Sequence, residues 1–563
     1  MALSKLKDSG IISLSFFSCQ NIDKSIKYTG HYKLINLKEV YLMGGASSQI
    51  LLAMIIYIGV VIGIGLYYAR SASESSENFL IGGRSFGPWF TALGAEASDM
   101  SGWLLMGLPG VAYWVGLSDA AWTALGLGIG TYLNWLFVAK RLRIYSHVAG
   151  DAITIPDFFS NRYKEDKKVI LTIAALFILV FFSVYAASCF VTMGKLFSTI
   201  FNTNYTHMMI AGAIFVIFYT FIGGWLAESA SDFMQGTIMI FALVVVLFVG
   251  ISTAGGISLV VENAKSIPGF FDFFGIAKPV LEGGVQKLSE GGQPLFGEAG
   301  SYGFLTIIST LSWGLGYFGM PQVLLKFMAI RDFNELKISR RIATVWVIIS
   351  LTAAVTIGIL GRILFPNALL TQSQAESIFI LMSRSFFVPL FAGVIMAGIL
   401  AATISSADSY LIIAASAFSK NIYHGIMKKD ASDKKVLQMS RITLVIIALI
   451  AMIIALDENS VIFTVVSFAW AGFGATFGPL MLFSLFWKRT TRNAAIAGMI
   501  TGGTMVFIWK LLLKPLGGIF GIYELFPAFV LSCIVIIIVS LSSKEPTKDI
   551  QDEFEQVKSL ANS

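Results

Sequence analysis

The chain is poor in charged residues. Of its 563 residues only 13% are Asp, Glu, Lys or Arg, whereas 56% are hydrophobic and the mean hydropathy is +0.77. Water-soluble domains do not have this composition, and apolar runs recur along almost the whole sequence. We therefore predict an all-α polytopic membrane protein.

Residues that build metal and redox centres are also scarce. Cys19, Cys189 and Cys533 stand far apart, and the four histidines are scattered. This pattern indicates neither a disulfide framework nor a zinc site. There is no Walker motif, which excludes an ATP-driven pump, and no nucleophile–base constellation that would indicate an enzyme. We expect no cofactor. The net charge of +7 lies in short loops rather than in a basic domain, so nucleic acid is not an expected partner.

About thirteen apolar segments are long enough to cross a bilayer. They lie near Ser48–Ala69, Pro88–Trp114, Ala120–Ala139, Val169–Phe197, His207–Trp225, Asp232–Ser252, Tyr302–Phe327, Arg341–Phe365, Phe387–Phe418, Arg441–Leu456, Val461–Trp487, Arg492–Leu513 and Glu524–Leu541. This predicts an N-terminal tail (1–46), a transmembrane domain (47–541) and a C-terminal tail (542–563).

Lysine and arginine are concentrated in the loops after the third, seventh, ninth and eleventh spans. The positive-inside rule then places the N-terminus outside and the C-terminus in the cytoplasm. The lysines of residues 1–42 contradict this orientation, and no signal peptide is indicated there. Met43 precedes a natural-looking start, so we expect residues 1–42 to be an over-called start or a disordered tail. The long loop Thr253–Ser301 is expected to hold a short helix near Ser258–Ala264 and little else.

The second predicted span is interrupted by acids and helix breakers. Its middle contains Glu96, Ser98, Asp99 and Ser101, flanked by Gly94, Gly102, Gly107 and Pro109. One acid at the centre of a membrane helix costs about 2.5–3.5 kcal/mol. A helix that unwinds at mid-membrane exposes backbone groups, which are tolerated where they line a site or pack against protein. The pattern predicts the ion and substrate site of a transporter.

The seventh and ninth spans carry related signals. Trp313–Pro321 reads WGLGYFGMP, a second interruption five spans after the first, which indicates an inverted repeat with the site between its halves. In the ninth span, two turns hold Thr403, Ser405, Ser406, Asp408 and Ser409. Oxygen-rich surfaces of this kind suit a hard cation. For any single serine, a hydrogen bond back to its own helix stays open as the alternative. Asp232 begins the sixth span, where an N-cap is one explanation for the acid.

Four segments together resemble the sodium/solute symporter family, and most closely the bacterial sodium/proline symporters. They are Gly82–Ser85 (GGRS), Ala97–Pro109 (ASDMSGWLLMGLP), Trp313–Gly319 (WGLGYFG) and Trp470–Gly474 (WAGFG). The resemblance extends from about residue 47 to residue 541. It implies a leucine-transporter-type fold with a 5+5 inverted-repeat core, one helix before the core and two after it.

The resemblance also implies roles for individual residues. Sodium ligands would come from Ala97, Met100, Ala402, Ser405 and Ser406. Asp99, Ser101 and Gly102 would couple the ion to the substrate. The substrate would contact Trp103, Tyr185, Trp313 and Tyr317, whose aromatic faces suit the ring and the ammonium group of proline.

The implied function is sodium-coupled symport of L-proline into the cell, by a multi-pass protein of the bacterial plasma membrane. Its expected partners are L-proline, sodium and membrane lipid, with no obligatory protein partner and no metal besides sodium. Glu96 and Asp408 depart from the proline branch, so another small carboxylate such as pantothenate stays open. A channel would need a ring of pore-lining residues, and a sensor would need a longer C-terminal tail than the one after Ser542.

Overall fold

Helices make up most of the chain that the structure describes. The computed structural model describes residues 46–72, 79, 84 and 86–562, and the predictions for residues 1–42 and the GGRS motif lie wholly or partly outside them. The first helices are α1 (Ala46–Ala72), α2 (Pro88–Gly102), α3 (Leu108–Val115), α4 (Leu117–Leu133), α5 (Ala139–Val148), α6 (Ile155–Arg162), α7 (Val169–Phe201), α8 (Tyr205–Thr253), α9 (Ile257–Lys265) and α10 (Phe304–Leu311). The remaining helices are α11 (Pro321–Ala329), α12 (Leu336–Leu364), α13 (Gln372–Ala375), α14 (Ile378–Phe386), α15 (Pro389–Ser416), α16 (Asp433–Ile454), α17 (Ile462–Phe486), α18 (Arg492–Ile508), α19 (Leu525–Ser542) and α20 (Lys548–Asn562).

The predicted spans fall on these helices, and nine helical segments among the described residues are long and apolar enough to cross a membrane. The second span is divided into α2 and α3 by a π-helical turn at Trp103–Gly107. The seventh is divided into α10 and α11 by a 3₁₀ stretch at Ser312–Gly319. Both predicted interruptions are therefore present.

The predicted fifth and sixth spans form the two arms of α8, which a kink separates. The bend lies at Gly224, whose φ of 56° and ψ of −162° are strained for any residue with a side chain. Asp232 lies in the interior of this helix rather than at its start. The N-cap prediction for Asp232 is therefore wrong, because the chain bends eight residues earlier and continues helical.

The interrupted helices pack against the long helices α15 and α17. Helix α15 packs against α1, α2, α7 and α8, while α17 packs against α7, the 3₁₀ stretch, α18 and α19. Small residues allow the closest crossings: a Cβ atom placed on Gly130 of α4 would lie 2.3 Å from the carbonyl oxygen of Gly314. No side chain fits there, so the backbone of α4 is in direct contact with the backbone of the second interruption.

The long loop after α8 contains more structure than predicted. Helix α9 confirms the expected short helix. The expectation of little else is wrong, because two antiparallel strand pairs follow, β1 (Gly275–Ile276) with β4 (Gly300–Ser301) and β2 (Leu281–Glu282) with β3 (Val285–Gln286). Gly283 and Gly284 join β2 to β3 with φ of 59° and 84°, as a tight hairpin turn requires. The buried guanidinium of Arg362 donates to Gln286 Oε1 at 2.7 Å and ties this loop to α12.

The C-terminal tail folds back as helix α20. Its buried side chains are Ile550, Phe554 and Val557. Their spacing places them on one helical face, which packs against α5. At the exposed edge, Lys164 Nζ lies 3.0 Å from Asp549 Oδ2. Hydrogen bonds from Thr547 and then from Lys164 hold the pKa of Asp549 at about 2.

Candidate functional site

The first interruption is centred on Ser101. Its φ of 32° and ψ of −173° are rarely adopted by a residue with a side chain. The Ser101 amide donates to Ser406 Oγ of α15 at 3.1 Å, and Ser101 Oγ accepts from the Trp103 amide at 3.2 Å. Gly102 is required beside it, because a Cβ atom there would lie 2.4 Å from Thr192. Contacts with α15 and α7 therefore hold the strained backbone.

Uncharged oxygen atoms converge beside this interruption. Ser405 Oγ lies 2.6 Å from the Ala97 carbonyl oxygen, and Ser406 Oγ lies 3.4 Å from the same atom. Ser405 Oγ is also 3.3 Å from the carbonyl oxygen of Ala402. All of these residues are fully buried. Hydroxyl and carbonyl oxygens in this arrangement are ligands that a hard monovalent cation takes.

A small cavity lies against the same part of α2, at Asp99 and Met100. It is lined by all four predicted aromatic residues, Trp103, Tyr185, Trp313 and Tyr317, together with Asp99, Met100, Leu127, Val466 and Trp470. Its volume is about 10 Å³, room for roughly one water molecule. The rings of Trp103 and Trp313 are 5.5 Å apart. The structure thus brings together residues from both interruptions and from α7, and Met100, one of the predicted ion ligands, lines the cavity.

Asp99 links the two interrupted helices. Its carboxylate oxygen Oδ1 accepts a hydrogen bond from Gln322 Nε2 of α11 at 3.2 Å. Its backbone carbonyl lies 3.5 Å from the hydroxyl of Tyr185, which donates to it. Glu96, one turn earlier, lies buried with Oε1 at 3.4 Å from Trp135 Nε1. Each acid of α2 therefore has a neutral donor as its partner.

The second interruption is held through its backbone carbonyls. Trp470 Nε1 of α17 donates to the Trp313 carbonyl at 2.8 Å. Asn134 Nδ2 donates to the Tyr317 carbonyl at 3.0 Å. A Cβ atom on Gly316 would lie 2.0 Å from Trp470 Nε1, which explains the glycine. Because neighbours bind the backbone, the side chains of Trp313 and Tyr317 remain turned to the cavity.

A buried cluster of charged residues lies near the ion ligands on α15. Lys326 Nζ of α11 is 2.9 Å from Glu228 Oε1 and 2.9 Å from Asp232 Oδ2, both on α8. Its ammonium also lies 4.5 Å from the centre of the Trp225 ring. These ion pairs fix α11, the half of the second interrupted helix that follows the 3₁₀ stretch, to α8.

The same cluster reaches α15 through two residues that follow the ion ligands. Ser409 Oγ donates to Glu228, and the Ser409 amide donates to Asp408 Oδ1 at 2.8 Å. One oxygen from each of Glu228, Asp232 and Asp408 lies within 4.8 Å of the others. Glu228 and Lys326 were not predicted from the sequence. A charged residue inside an apolar span is the signal that identifies both.

A larger cavity of about 500 Å³ opens at the end of the bundle that carries the long loop. Its lining includes Asp119, Trp313, Phe463, Lys510, Lys514 and Tyr523. Phe463 lies 5.8 Å from Trp103 and 5.3 Å from Trp313, measured between ring centres. Trp313 lines both cavities, so an aromatic layer separates this larger cavity from the small aromatic cavity. The larger cavity lies on the face that the loop charges predict to be outside, and we call it the outer vestibule and the small one the inner cavity.

Comparison with known families identifies this arrangement. The model described as "Sodium:solute symporter family" matches residues 79–502. The chain belongs to the sodium:solute symporter family. The family predicted from the sequence is thereby confirmed, and the match includes both interruptions and all of α15 and α17.

Individual members of the family are similar over most of their length. "Sodium/proline symporter 2" of Staphylococcus saprophyticus is 40% identical over 521 residues, which are 92% of this chain and 97% of that protein. The "Sodium/proline symporter" of Staphylococcus aureus is 39% identical over the same shares. Among solved structures, a "Na+-coupled sialic acid symporter" in a substrate-bound outward-open state covers 89% of this chain and 99% of its own, with a TM-score of 0.71 and 16% identity.

This sodium:solute symporter is a multi-pass membrane transporter and not an enzyme, as the sequence predicts. The likeness to the solved symporter establishes that the two proteins share a helical transporter fold.

Proposed function

We propose that this symporter moves L-proline into the cell together with sodium across the plasma membrane. One observation carries the proposal. The four predicted aromatic residues line a single cavity, and Asp99 and Met100 of its lining follow, within one helical turn, Ala97, whose buried carbonyl accepts from Ser405. The names of the two staphylococcal relatives support the same substrate.

Sodium is the ion that the oxygen cluster suits in this proposal. Its ligands are the carbonyls of Ala97, Met100 and Ala402 and the hydroxyls of Ser405 and Ser406. All are uncharged, so the cluster suits a monovalent ion better than a divalent one, which prefers carboxylates. An entering sodium ion would replace the hydrogen bonds that the two serine hydroxyls donate to Ala97.

The aromatic cavity accounts for the choice of proline. A proline zwitterion has an apolar ring and a secondary ammonium group, and aromatic faces accommodate both. Trp103, Trp313 and Tyr317 supply such faces from the two interruptions, with Tyr185 from α7. The rings must separate to admit proline, because the cavity is about 10 Å³ in this structure.

Ser101 provides the connection between ion and substrate. Its amide is bound to Ser406 Oγ, and its own hydroxyl is bound to the amide of Trp103. Sodium at Ser406 therefore orders the backbone that carries Trp103, and the two ligands bind cooperatively. The same coupling requires that proline raise the affinity for sodium.

Transport follows from alternating access in a 5+5 inverted-repeat core of the leucine-transporter type, within about thirteen transmembrane helices. The N-terminus would lie outside and the C-terminus inside, as the loop charges indicate. Movement of one sodium ion down the membrane potential supplies about 2.3 kcal/mol per 100 mV. Asp99 would transmit the movement, because its carboxylate joins α2 to α11.

Uptake of radiolabelled L-proline into proteoliposomes tests the proposal. An inward sodium gradient should drive accumulation above equilibrium, and a potassium gradient of equal size should not. An excess of unlabelled L-proline should compete, whereas pantothenate should not. Sodium-driven uptake of pantothenate without uptake of proline would overturn the substrate and leave the family unchanged.

A further inference from the structure

The C-terminal helix α20 joins separate parts of the chain at the face that the loop charges predict to be cytoplasmic. Its apolar face packs against α5. Lys164, two residues after α6, has its ammonium 3.0 Å from Asp549 Oδ2 and 3.3 Å from Glu553 Oε2. In the loop after α17, Lys488 Nζ lies 3.2 Å from Glu555 Oε1. One helix thus contacts α5 and the segments that follow α6 and α17.

Helix α5 connects α20 with the second interrupted helix. It packs against α11, and Arg143 Nε donates to the carbonyl of Ile330, directly after α11, at 2.9 Å. Arg141 Nη1 of α5 donates to the Leu485 carbonyl of α17 at 2.8 Å. All nine residues of α11 are buried, so a path beside α11 opens only if this helix moves. Because α20 binds both α5 and the loop after α17, it opposes such a movement.

The contact between α20 and the bundle leaves buried polar atoms without hydrogen bonds. Arg162, at the end of α6, is fully buried, and its guanidinium carbon lies 5.5 Å from the ring centre of Phe554. The rings of Tyr145 and Tyr163 lie 5.2 and 5.1 Å from the same carbon. Among the described residues, Nη1 and Nη2 of Arg162 find no acceptor, and Glu553 Oε1 finds no donor. These desolvated groups oppose docking, so α20 is bound less firmly than its apolar face alone would allow.

The ion pairs at the edge of α20 face water. The side chain of Lys164 is 40% exposed and that of Lys488 is 54% exposed. Exposed ion pairs contribute little each, and salt weakens them. The docked position of α20 therefore depends on contacts that can be released without unfolding the bundle.

We propose that α20 is a cytoplasmic clamp that limits the opening of the transport site to the inside. In its docked position it holds α5, and through α5 it holds α11, against the rest of the bundle. When α20 leaves, α5 and α11 can move. The clamp shifts the equilibrium between the closed and the inward-open form and binds neither sodium nor substrate. The inference rests on the proposed function and on the orientation that the loop charges predict.

Labelling of a cysteine at the end of α11 measures this opening. Ala329 is the last residue of α11 and is 1% exposed, so Ala329→Cys reports movement of the helix. The parent protein for this test carries Ala329→Cys with Cys19→Ser and Cys533→Ser. A membrane-impermeant thiol reagent is added to vesicles whose cytoplasmic face is outward. Lys164→Glu turns two ion pairs into repulsions and should raise the labelling rate about three- to tenfold.

Lys167→Glu is the matched control. Lys167 is exposed in the same loop and forms no ion pair within the described part of the chain, so its replacement should leave the labelling rate unchanged. Both variants should retain sodium-driven proline uptake. A rise in labelling that comes only with complete loss of uptake would mean unfolding and would overturn the clamp.

The second attachment of α20 provides a charge swap. Lys488→Glu should raise labelling about two- to fivefold, since it reverses one exposed pair. Adding Glu555→Lys restores an opposite pair and should return the rate to that of the parent. A loss of local structure at Lys488 would not be repaired by a second change on α20, so failure of the swap would contradict the clamp.

Cytoplasmic salt provides a readout that needs no substitution at the contact. Raising the salt concentration from about 0.1 to 1 M shortens the Debye length from about 10 to 3 Å. Labelling of the parent should then increase, whereas a chain that ends after Ser543 should label fast at both concentrations. If the short chain does not fold, the point variants decide the question.

Distinct outcomes separate the possible failures. Labelling requires no transported substrate, so absence of sodium-driven proline uptake in the parent would refute the proposed function and leave the clamp open to the same test. Equal labelling of the parent and Lys164→Glu, at low and at high salt, would overturn the clamp alone. Labelling of Ala329→Cys only from the opposite face would overturn it as well, because α20 would then not lie at the cytoplasmic end.

Discussion

The two interrupted helices of this symporter are broken by different means. At the first, Ser101 adopts a strained conformation that a hydroxyl of α15 holds by hydrogen bonding. At the second, tight turns rich in glycine expose carbonyls that Asn134 and Trp470 bind. The first interruption directs backbone oxygens towards the serines, and the second directs aromatic rings towards a cavity. Two helices interrupted at corresponding places can thus supply the two halves of one site.

Replacement of Lys326 tests whether both interruptions depend on the buried charged cluster for their stability. The lysine lies on α11, directly after the second interruption, and binds two acids of α8. Lys326→Met should lower the free energy of unfolding by about 3–5 kcal/mol, because it leaves buried carboxylates without their partner. Thermal unfolding of the purified protein in detergent measures the effect.

Two further variants show whether the loss of stability in Lys326→Met comes from the buried charges. Lys337→Met removes a lysine at the exposed start of α12 and should change stability by less than about 0.5 kcal/mol. Adding Glu228→Gln and Asp232→Asn to Lys326→Met should recover part of the loss, since Asp408 is then the one acid of the cluster left without the lysine. If Lys326→Met and Lys337→Met unfolded at the same temperature, the cluster of Lys326, Glu228 and Asp232 would not stabilise the fold.

Ser405→Ala tests the first interruption alone. Loss of an oxygen ligand to a charged group costs about 1.5–3 kcal/mol, or roughly 10–100-fold in affinity. The sodium concentration for half-maximal uptake should rise by that factor at saturating proline. Thr403→Val is the control, since the Thr403 hydroxyl donates to the Ile399 carbonyl of its own helix at 2.6 Å. A similar change in both variants would place the sodium site elsewhere.

More of the candidate site than of its supporting contacts could be predicted from the sequence. Trp103, Trp313 and Tyr317 stand inside motifs at the two interruptions. Tyr185 on α7 and the two serines on α15 stand outside the four motifs, and the resemblance implied them by position. Strands β1–β4 were not predicted, because pairs of two residues leave no periodic pattern. The start of the sixth span was placed at Asp232, several residues after the kink at Gly224, since the charged middle of α8 looks like a loop until Lys326 supplies a partner. Such partners come from distant parts of the chain, and no local pattern contains them.

Trp470→Phe tests the second interruption with the smallest expected effect. The change keeps an aromatic ring and removes one hydrogen bond to the Trp313 carbonyl, which is worth about 0.5–1.5 kcal/mol. The KM for proline should therefore rise by about 2–10-fold. Sodium binding measured without proline should be unchanged, because Trp470 contacts the second interruption and not the serines of α15. Phe468→Leu, on the same helix, is the control, since Phe468 packs against Phe181 and Phe507, away from the cavity. A shift in sodium affinity as large as the shift for proline would mean that the interruptions are not separable, and the division between an ion half and a substrate half would fail.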